Sequence, residues 1–460
     1  MQILGSFKIR LIIQRYWSVV RSGVASILRK DKKLTRDVVS TFICRAITAF
    51  SSVILVVLLG RRYGLDAVGF FATVQSLYLG FSVLTRFGVN NSLIYYVGRN
   101  KNSKNISYYL FLSVVTACIF SLVLSGIIFS FGELLVEKIL VFADLELALN
   151  LALFAPLFTM TFVLSGFLKA VRKPVSAVFL ENGGIAIVMI IFTLANLELG
   201  LLLEIEWLYA LSVLLIFMVG MVQVGLYLRT EKFEKATTDE AKSGVGAYLR
   251  TSSSYFVISL ANFCQNSAVF IIAAYLLSES EVGLFKVAHQ IALTLSFILV
   301  VTNAVFPPKF AELFRKGDFG NLISLAKMSC VIGFVFALPV LLMIIMFPDY
   351  ILGMIGEEFK DAQILLIVLV GAQSVNVITG NVNFLLSMTG HERIMRNIVL
   401  TTSSIGIICF SFLTLFVGVV GAAIGLSMMI VAQNLIAVIF VRKILSKKIM
   451  IDRFVLDRRG

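Results

Sequence analysis

Five ionisable side chains interrupt otherwise apolar stretches of this chain: Arg45, Glu181, Lys286, His289 and Lys327, with Arg86 at the end of another stretch. A basic residue at mid-membrane costs about 2.5–3.5 kcal/mol on insertion scales, so such residues usually face a wet cavity or a partner. Arg45 falls on a polar stripe with Thr41, Thr48 and Ser52, at i, i+4, i+7 and i+11 of one helix face. That pattern suits a cationic site for an anionic group; the plainer alternative is a side chain reaching back to the nearer headgroups. Arg86 suits an entrance or a headgroup contact, and Lys327 a surface anchor. Lys286 and His289 stand three residues apart beside Gln290. Glu181, next to Asn182, suits an ion pair with Arg45 or Arg86, or a ligand for a coupling cation. Two further polar stripes, Ser259/Asn262/Asn266 and Gln373/Asn376/Gly380/Asn383, serve either as helix–helix hydrogen bonds or as a wall for a hydroxylated ligand.

None of these residues forms a catalytic or metal-ligating constellation. The two histidines, His289 and His391, have no ligand spacing, and no glycine-rich phosphate loop is present. The five cysteines are scattered through apolar stretches, which argues against disulfides and zinc. The chain reads as a non-enzyme without a cofactor.

These residues have to be held by membrane helices. Of 460 residues, 59% are hydrophobic and 14% charged, with mean hydropathy +0.97; a soluble domain carries about 25% charged residues. Continuous apolar runs predict twelve spans: 38–60, 67–88, 106–131, 147–168, 175–197, 207–228, 251–278, 283–306, 323–347, 362–388, 394–416 and 419–441. The charge-free run Asn397–Val441 is too long for one crossing and is expected to turn at Gly418 and Gly421. Pro156 and Pro339 are expected kinks. The net charge of +14 has a better explanation in the membrane than in nucleic acid. With the N-terminus cytoplasmic, 32 of the 40 Lys and Arg fall in cytoplasmic segments and four in opposite loops, which are acidic. No cleavable signal peptide is expected. Residues 10–30 read as an amphipathic helix on an anionic leaflet of membrane lipids.

The halves repeat at an offset of 214 residues: Val68-Gly69-Phe70-Phe71 corresponds to Val282-Gly283-Leu284-Phe285. The same offset sets Gln75 opposite His289. Both copies cross in one direction, a parallel repeat of two six-helix lobes around a central cavity. The expected organisation is a basic segment 1–37, an N-lobe 38–228, a linker 229–250, a C-lobe 251–441 and a basic tail 442–460.

The stretch Leu59–Phe71, followed by Arg86-Phe87-Gly88-Val89-Asn90-Asn91, resembles the first two spans of polysaccharide flippases of the multidrug/oligosaccharidyl-lipid/polysaccharide exporter superfamily. Phe306-Pro307-Pro308-Lys309-Phe310, Ile355–Phe359, Phe384–Gly390 and Gly418–Ala423 are similar to that family too. The resemblance implies an all-α, MATE-like fold. It also implies a flippase in the bacterial inner membrane that moves undecaprenyl-pyrophosphate-linked repeat units of O-antigen or another surface polysaccharide to the periplasmic leaflet. A polymerase and a chain-length regulator of the same pathway are implied partners, and a proton or sodium gradient a driving force. On that reading Arg45, Arg86, Lys286 and His289 contact pyrophosphate, and Thr48, Ser52, Gln75, Asn262, Asn266, Gln373 and Asn376 line the cavity. A peptidoglycan-precursor flippase and a multidrug cation antiporter are the alternatives; the second wants more intramembrane carboxylates than Glu181 alone. Reporter fusions after Asp239 and after Leu445 are expected to read cytoplasmic, and one near Glu204 periplasmic; a periplasmic signal at Asp239 overturns this topology.

Overall fold

The structure, a computed structural model, describes residues 32–99, 105–138, 144–200, 203–230 and 244–456, which are helical with no strand among them. The expected amphipathic helix at 10–30 and most of the 229–250 linker lie outside the described residues. The first element, α1 (Lys32–Arg86), is 55 residues long. Laid straight it would reach about 80 Å, against a hydrocarbon core of about 30 Å. Gly64 leaves helical geometry at φ 87°, ψ −174°, and Arg45 and Arg86 line one cavity. The chain therefore doubles back at Gly64, and α1 supplies both of the first two expected spans.

The first lobe continues with α2 (Val89–Arg99), α3 (Asn105–Lys138), α4 (Leu145–Ala170), α5 (Pro174–Leu180), α6 (Asn182–Leu199) and α7 (Ile205–Thr230). The second contains α8 (Val245–Phe263), a π-helical turn Cys264–Ala268, α9 (Val269–Leu276), α10 (Glu279–Leu295), α11 (Phe297–Arg315), α12 (Phe319–Met346) and α13 (Pro348–Gly353). After a 3-10 turn, Glu357–Ala362, come α14 (Gln363–Thr379), α15 (Val382–Leu386), a second π-helical turn Ser387–His391, α16 (Glu392–Val417) and α17 (Val419–Leu456). Nine helices among the described residues are long and apolar enough to cross a membrane, or ten if the α5–α6 pair, bent by 51°, is one span. The twelve expected from the sequence counted α1 twice and the α10–α11 pair once. This is a multi-pass membrane protein. Leu122 on α3 is 69% exposed and Phe129 73%, an apolar surface suited to a lipid surrounding.

The breaks differ from those expected. Helices α4 and α12 run unbroken through Pro156 and Pro339, since a membrane helix absorbs one missing donor by local adjustment. Spans are broken instead at Glu181, at Ser296 and at Gly380, whose φ of 62° no helix accommodates. Gly418 does make the expected turn, at φ 69°. The basic tail is not separate: α17 continues through it to Leu456.

The lobes meet where the sequence repeats. A Cβ on Gly69 would lie 1.9 Å from the Glu279 carbonyl oxygen, and one on Gly283 2.3 Å from that of Leu65. The Ser280 hydroxyl donates to the Asp66 carboxylate, its equivalent 214 residues away. Nearby, the Arg61 Nε donates to the Met354 carbonyl at 2.6 Å. Small residues allow this backbone approach, which is how helices associate where water supplies no hydrophobic drive. The closed end carries Asp66, Glu204 and Glu279 and is called the acidic side below. Replacing Gly69 with Ala puts a methyl into the Glu279 backbone and should favour a state open on the acidic side. A cysteine at Thr73, 4% exposed, should then label several-fold faster with an impermeant thiol reagent than it does beside Gly69. Equal rates would show that the contact does not hold this side shut.

Candidate substrate cavity

The other half of the molecule contains a cavity of about 590 Å³, lined by Arg45, Thr48 and Ser52 from the first arm of α1, and by Arg86 from the second. Asn90 and Asn91 of α2, Glu181 and Gly183 at the α5–α6 break, and Ser259, Asn262 and Asn266 of the second lobe complete its polar wall. Helical spacing explains the first group: Arg45, Thr48 and Ser52 share a face. Thr48 donates to the Arg45 carbonyl at 3.0 Å and Ser52 to the Thr48 carbonyl at 3.1 Å. Both hydroxyls thus spend their protons on their own helix. Gly183 lets α1 come close, because a Cβ there would lie 1.9 Å from the Thr48 Cβ. In the second lobe the π-helical turn begins just after Asn262 and contains Asn266; such bulges re-aim side chains, frequently at functional sites. Asn262 and Asn266 are both exposed. Phe297, opening α11, closes the wall against Phe42 and Phe50, at ring distances of 5.8 and 5.9 Å.

The electrostatics are one-sided. Arg45 is exposed. Arg86 is 9% exposed, stands 4.6 Å from the Phe162 ring centroid, and leaves its Nε without a partner among the described residues. Glu181 does not pair with either arginine as expected. Its carboxylate is bound by Lys169 and accepts from the Ser165 hydroxyl at 3.1 Å. The reason is local: the break after Leu180 turns Glu181 back toward α4. Its charge is thereby offset, and the cavity remains cationic.

Other expected site residues lie elsewhere. Lys286, 6% exposed, donates to Gln75 Oε1 at 2.8 Å and lies 4.9 Å from the Phe270 ring centroid. His289 is equally buried, against Phe270. Offset arithmetic set Gln75 opposite His289, but its partner is Lys286, one helical turn away. These three residues pack in the lobe contact and are absent from the cavity wall. Gln373 accepts from Ser296 at 2.6 Å and from Asn376 at 3.1 Å. That stripe is a helix–helix hydrogen-bond network bridging the break at Ser296, not the expected cavity wall. Sequence reasoning missed Asn90, Asn91 and Gly183 as lining residues, although the asparagines sit in the motif that carried the family resemblance. Single cysteines at Thr48 and Asn262, in an active background stripped of native cysteines, should label readily with a water-borne thiol reagent; Asn376 and lipid-facing Leu122 should not. Poor labelling of all four would make the cavity a packed contact.

The sequence pattern of the family described as "Polysaccharide biosynthesis protein" matches residues 6–314. No curated protein sequence matches the chain. Among solved structures, the lipid II flippase MurJ in an inward closed conformation has a TM-score of 0.68 at 13% identity, covering 88% of this chain and 87% of its own. An inward-facing multidrug resistance MATE family transporter of the MOP superfamily has a TM-score of 0.65 at 14% identity, covering 87% and 95%. The MATE multidrug transporter DinF-BH has a TM-score of 0.62 at 14% identity, covering 90% and 96%. These likenesses give the fold: two helical lobes around a cavity. With the family pattern spanning more than half its length, the chain belongs to the polysaccharide biosynthesis protein family.

Proposed function

We propose that the protein is a flippase for a lipid-linked oligosaccharide whose sugar is joined to its polyprenyl anchor through pyrophosphate. The observation that carries this reading is the pair Arg45 and Arg86 on one cavity, where the one carboxylate among the described lining residues is held by Lys169. A chamber of that charge concentrates anions. Guanidinium groups also match the planar, bidentate geometry of phosphate oxygens. Asn90, Asn91, Asn262 and Asn266 offer amide donors and acceptors to sugar hydroxyls. The cavity opens within the half of the molecule that carries Lys169 and Arg86. By charge asymmetry that half is cytoplasmic, so on this reading the head group loads from the inner leaflet of a bacterial inner membrane. Rocking the lobes about the Gly69–Gly283 contact would then present the head group to the other leaflet, driven by an ion gradient and without chemistry on the substrate.

A cationic drug as substrate is disfavoured, because Glu181 is already neutralised. A peptidoglycan precursor shares the pyrophosphate and is separated from this reading by complementation: the gene should restore surface polysaccharide, not cell-wall synthesis. In a deletion strain making lipid-linked repeat units, Arg45→Ala and Arg86→Ala at normal abundance should cut surface polysaccharide at least about tenfold, the scale of one lost charge-assisted contact. Arg45→Lys should retain part, having lost only the bidentate geometry. Undiminished polymer in both Ala variants removes the pyrophosphate site from this cavity.

A further inference from the structure

On the acidic side, three carboxylates converge on one point. Glu146 lies in the first turn of α4, Glu206 in the first turn of α7, and Glu204 just before α7. Their oxygens lie within 4.8 Å of one another. Acidic residues in a first helical turn are ordinary, because they complement the helix dipole. That accounts for Glu146, which is exposed and whose Oε1 accepts from Trp207 Nε1 at 2.7 Å. It does not account for Glu206. This side chain is 1% exposed, and neither carboxylate oxygen has a hydrogen-bond partner among the described residues. No Lys or Arg among the described residues forms an ion pair with any of the three. One turn further along each helix, Asn150 Nδ2 and Tyr209 OH are buried and also unpartnered among the described residues. A bare buried carboxylate beside two others is costly unless something positive neutralises it.

We propose that Glu146, Glu204 and Glu206 form a binding site for a hard divalent cation of the calcium and magnesium class. Oxygens a few ångströms apart can bracket an ion with metal–oxygen distances of about 2.0–2.6 Å, water filling the remaining positions. Three carboxylates exceed what one monovalent ion offsets. The ion reaches the site from the acidic side, because Glu204 also lines a separate cavity there of about 500 Å³, with Asp66 and Glu279. Bound, it ties the start of α4 to the start of α7 and cancels the charge that otherwise strains their packing. The site is built from first-lobe residues alone, and its existence does not depend on the flippase reading.

The test uses the purified full-length protein, stripped with chelator and then titrated with CaCl2 or MgCl2, reading melting temperature and bound ion. One saturable ion per chain with a rise in Tm is expected. Glu206→Gln should melt no lower than the stripped wild type, since it removes a buried charge, but should bind at least tenfold more weakly and lose the rise. Glu204→Gln should weaken binding with the fold intact. Arg45→Ala should bind the ion as the wild type does, so failure here and failure of the substrate cavity are read separately. No saturable binding at millimolar calcium or magnesium overturns the proposal. So does unchanged binding by folded Glu206→Gln, or a Tm rise that NaCl produces equally well.

Discussion

The contact between Gly69 and Gly283 sets the terms for the rest of the molecule. Two helices from opposite lobes can bring backbone against backbone only where neither carries a Cβ, and a lipid-embedded protein relies on such close packing because apolar burial alone gives helices no reason to associate. There the lobes are pinned, with Asp66 joined to Ser280 beside them. They meet again at the other side, where a Cβ on Gly88 would lie 2.3 Å from the Ser252 carbonyl oxygen and Ser252 donates to Ser92 at 2.8 Å, and the cavity lies between these two contacts. Arg45 and Arg86 reach it from the two arms of α1, brought together by the fold at Gly64.

In and around that cavity the distribution of charge follows from which groups satisfy each other locally. Lys169 reaches Glu181 because the span breaks there, and Lys286 is occupied by Gln75 and two aromatic faces. Arg86 has a ring and, among the described residues, no close ion pair; Glu181 acts on it only at longer range. A guanidinium in that position retains unspent donor capacity, its Nε being unpartnered among the described residues. The acidic side shows the opposite imbalance at Glu206, so each side of the first lobe holds one sign of uncompensated charge.

Much of this was legible in the sequence. Arg45, Thr48 and Ser52, and Asn262 with Asn266, follow helical spacing, so periodicity alone put each group on one face. The repeat named Gly69 and Gly283 as equivalent positions, though equivalence did not say that they touch. Gln373 and Asn376 show the same pattern as the true lining residues and are nevertheless bonded to Ser296, because a polar stripe looks identical whether it meets water or another helix. Lys169 lies just beyond the predicted span 147–168, and its reach to Glu181 depends on a break that no proline marks. Glu206 falls in the sequence between two predicted spans, where an acidic residue is ordinary, yet it is buried; burial is a property of neighbours and leaves no trace in spacing.

The last helix carries a mechanical implication. α17 runs 38 residues without interruption, about 57 Å, nearly twice the hydrocarbon thickness. Its final stretch is therefore a stiff lever fixed to the second lobe. A tilt of roughly 10° about its first residue displaces the far end by about 10 Å at that length. Rearrangements of a few ångströms around the cavity are magnified at Leu456, where a spectroscopic label or a binding partner could register the state of a chamber it never touches.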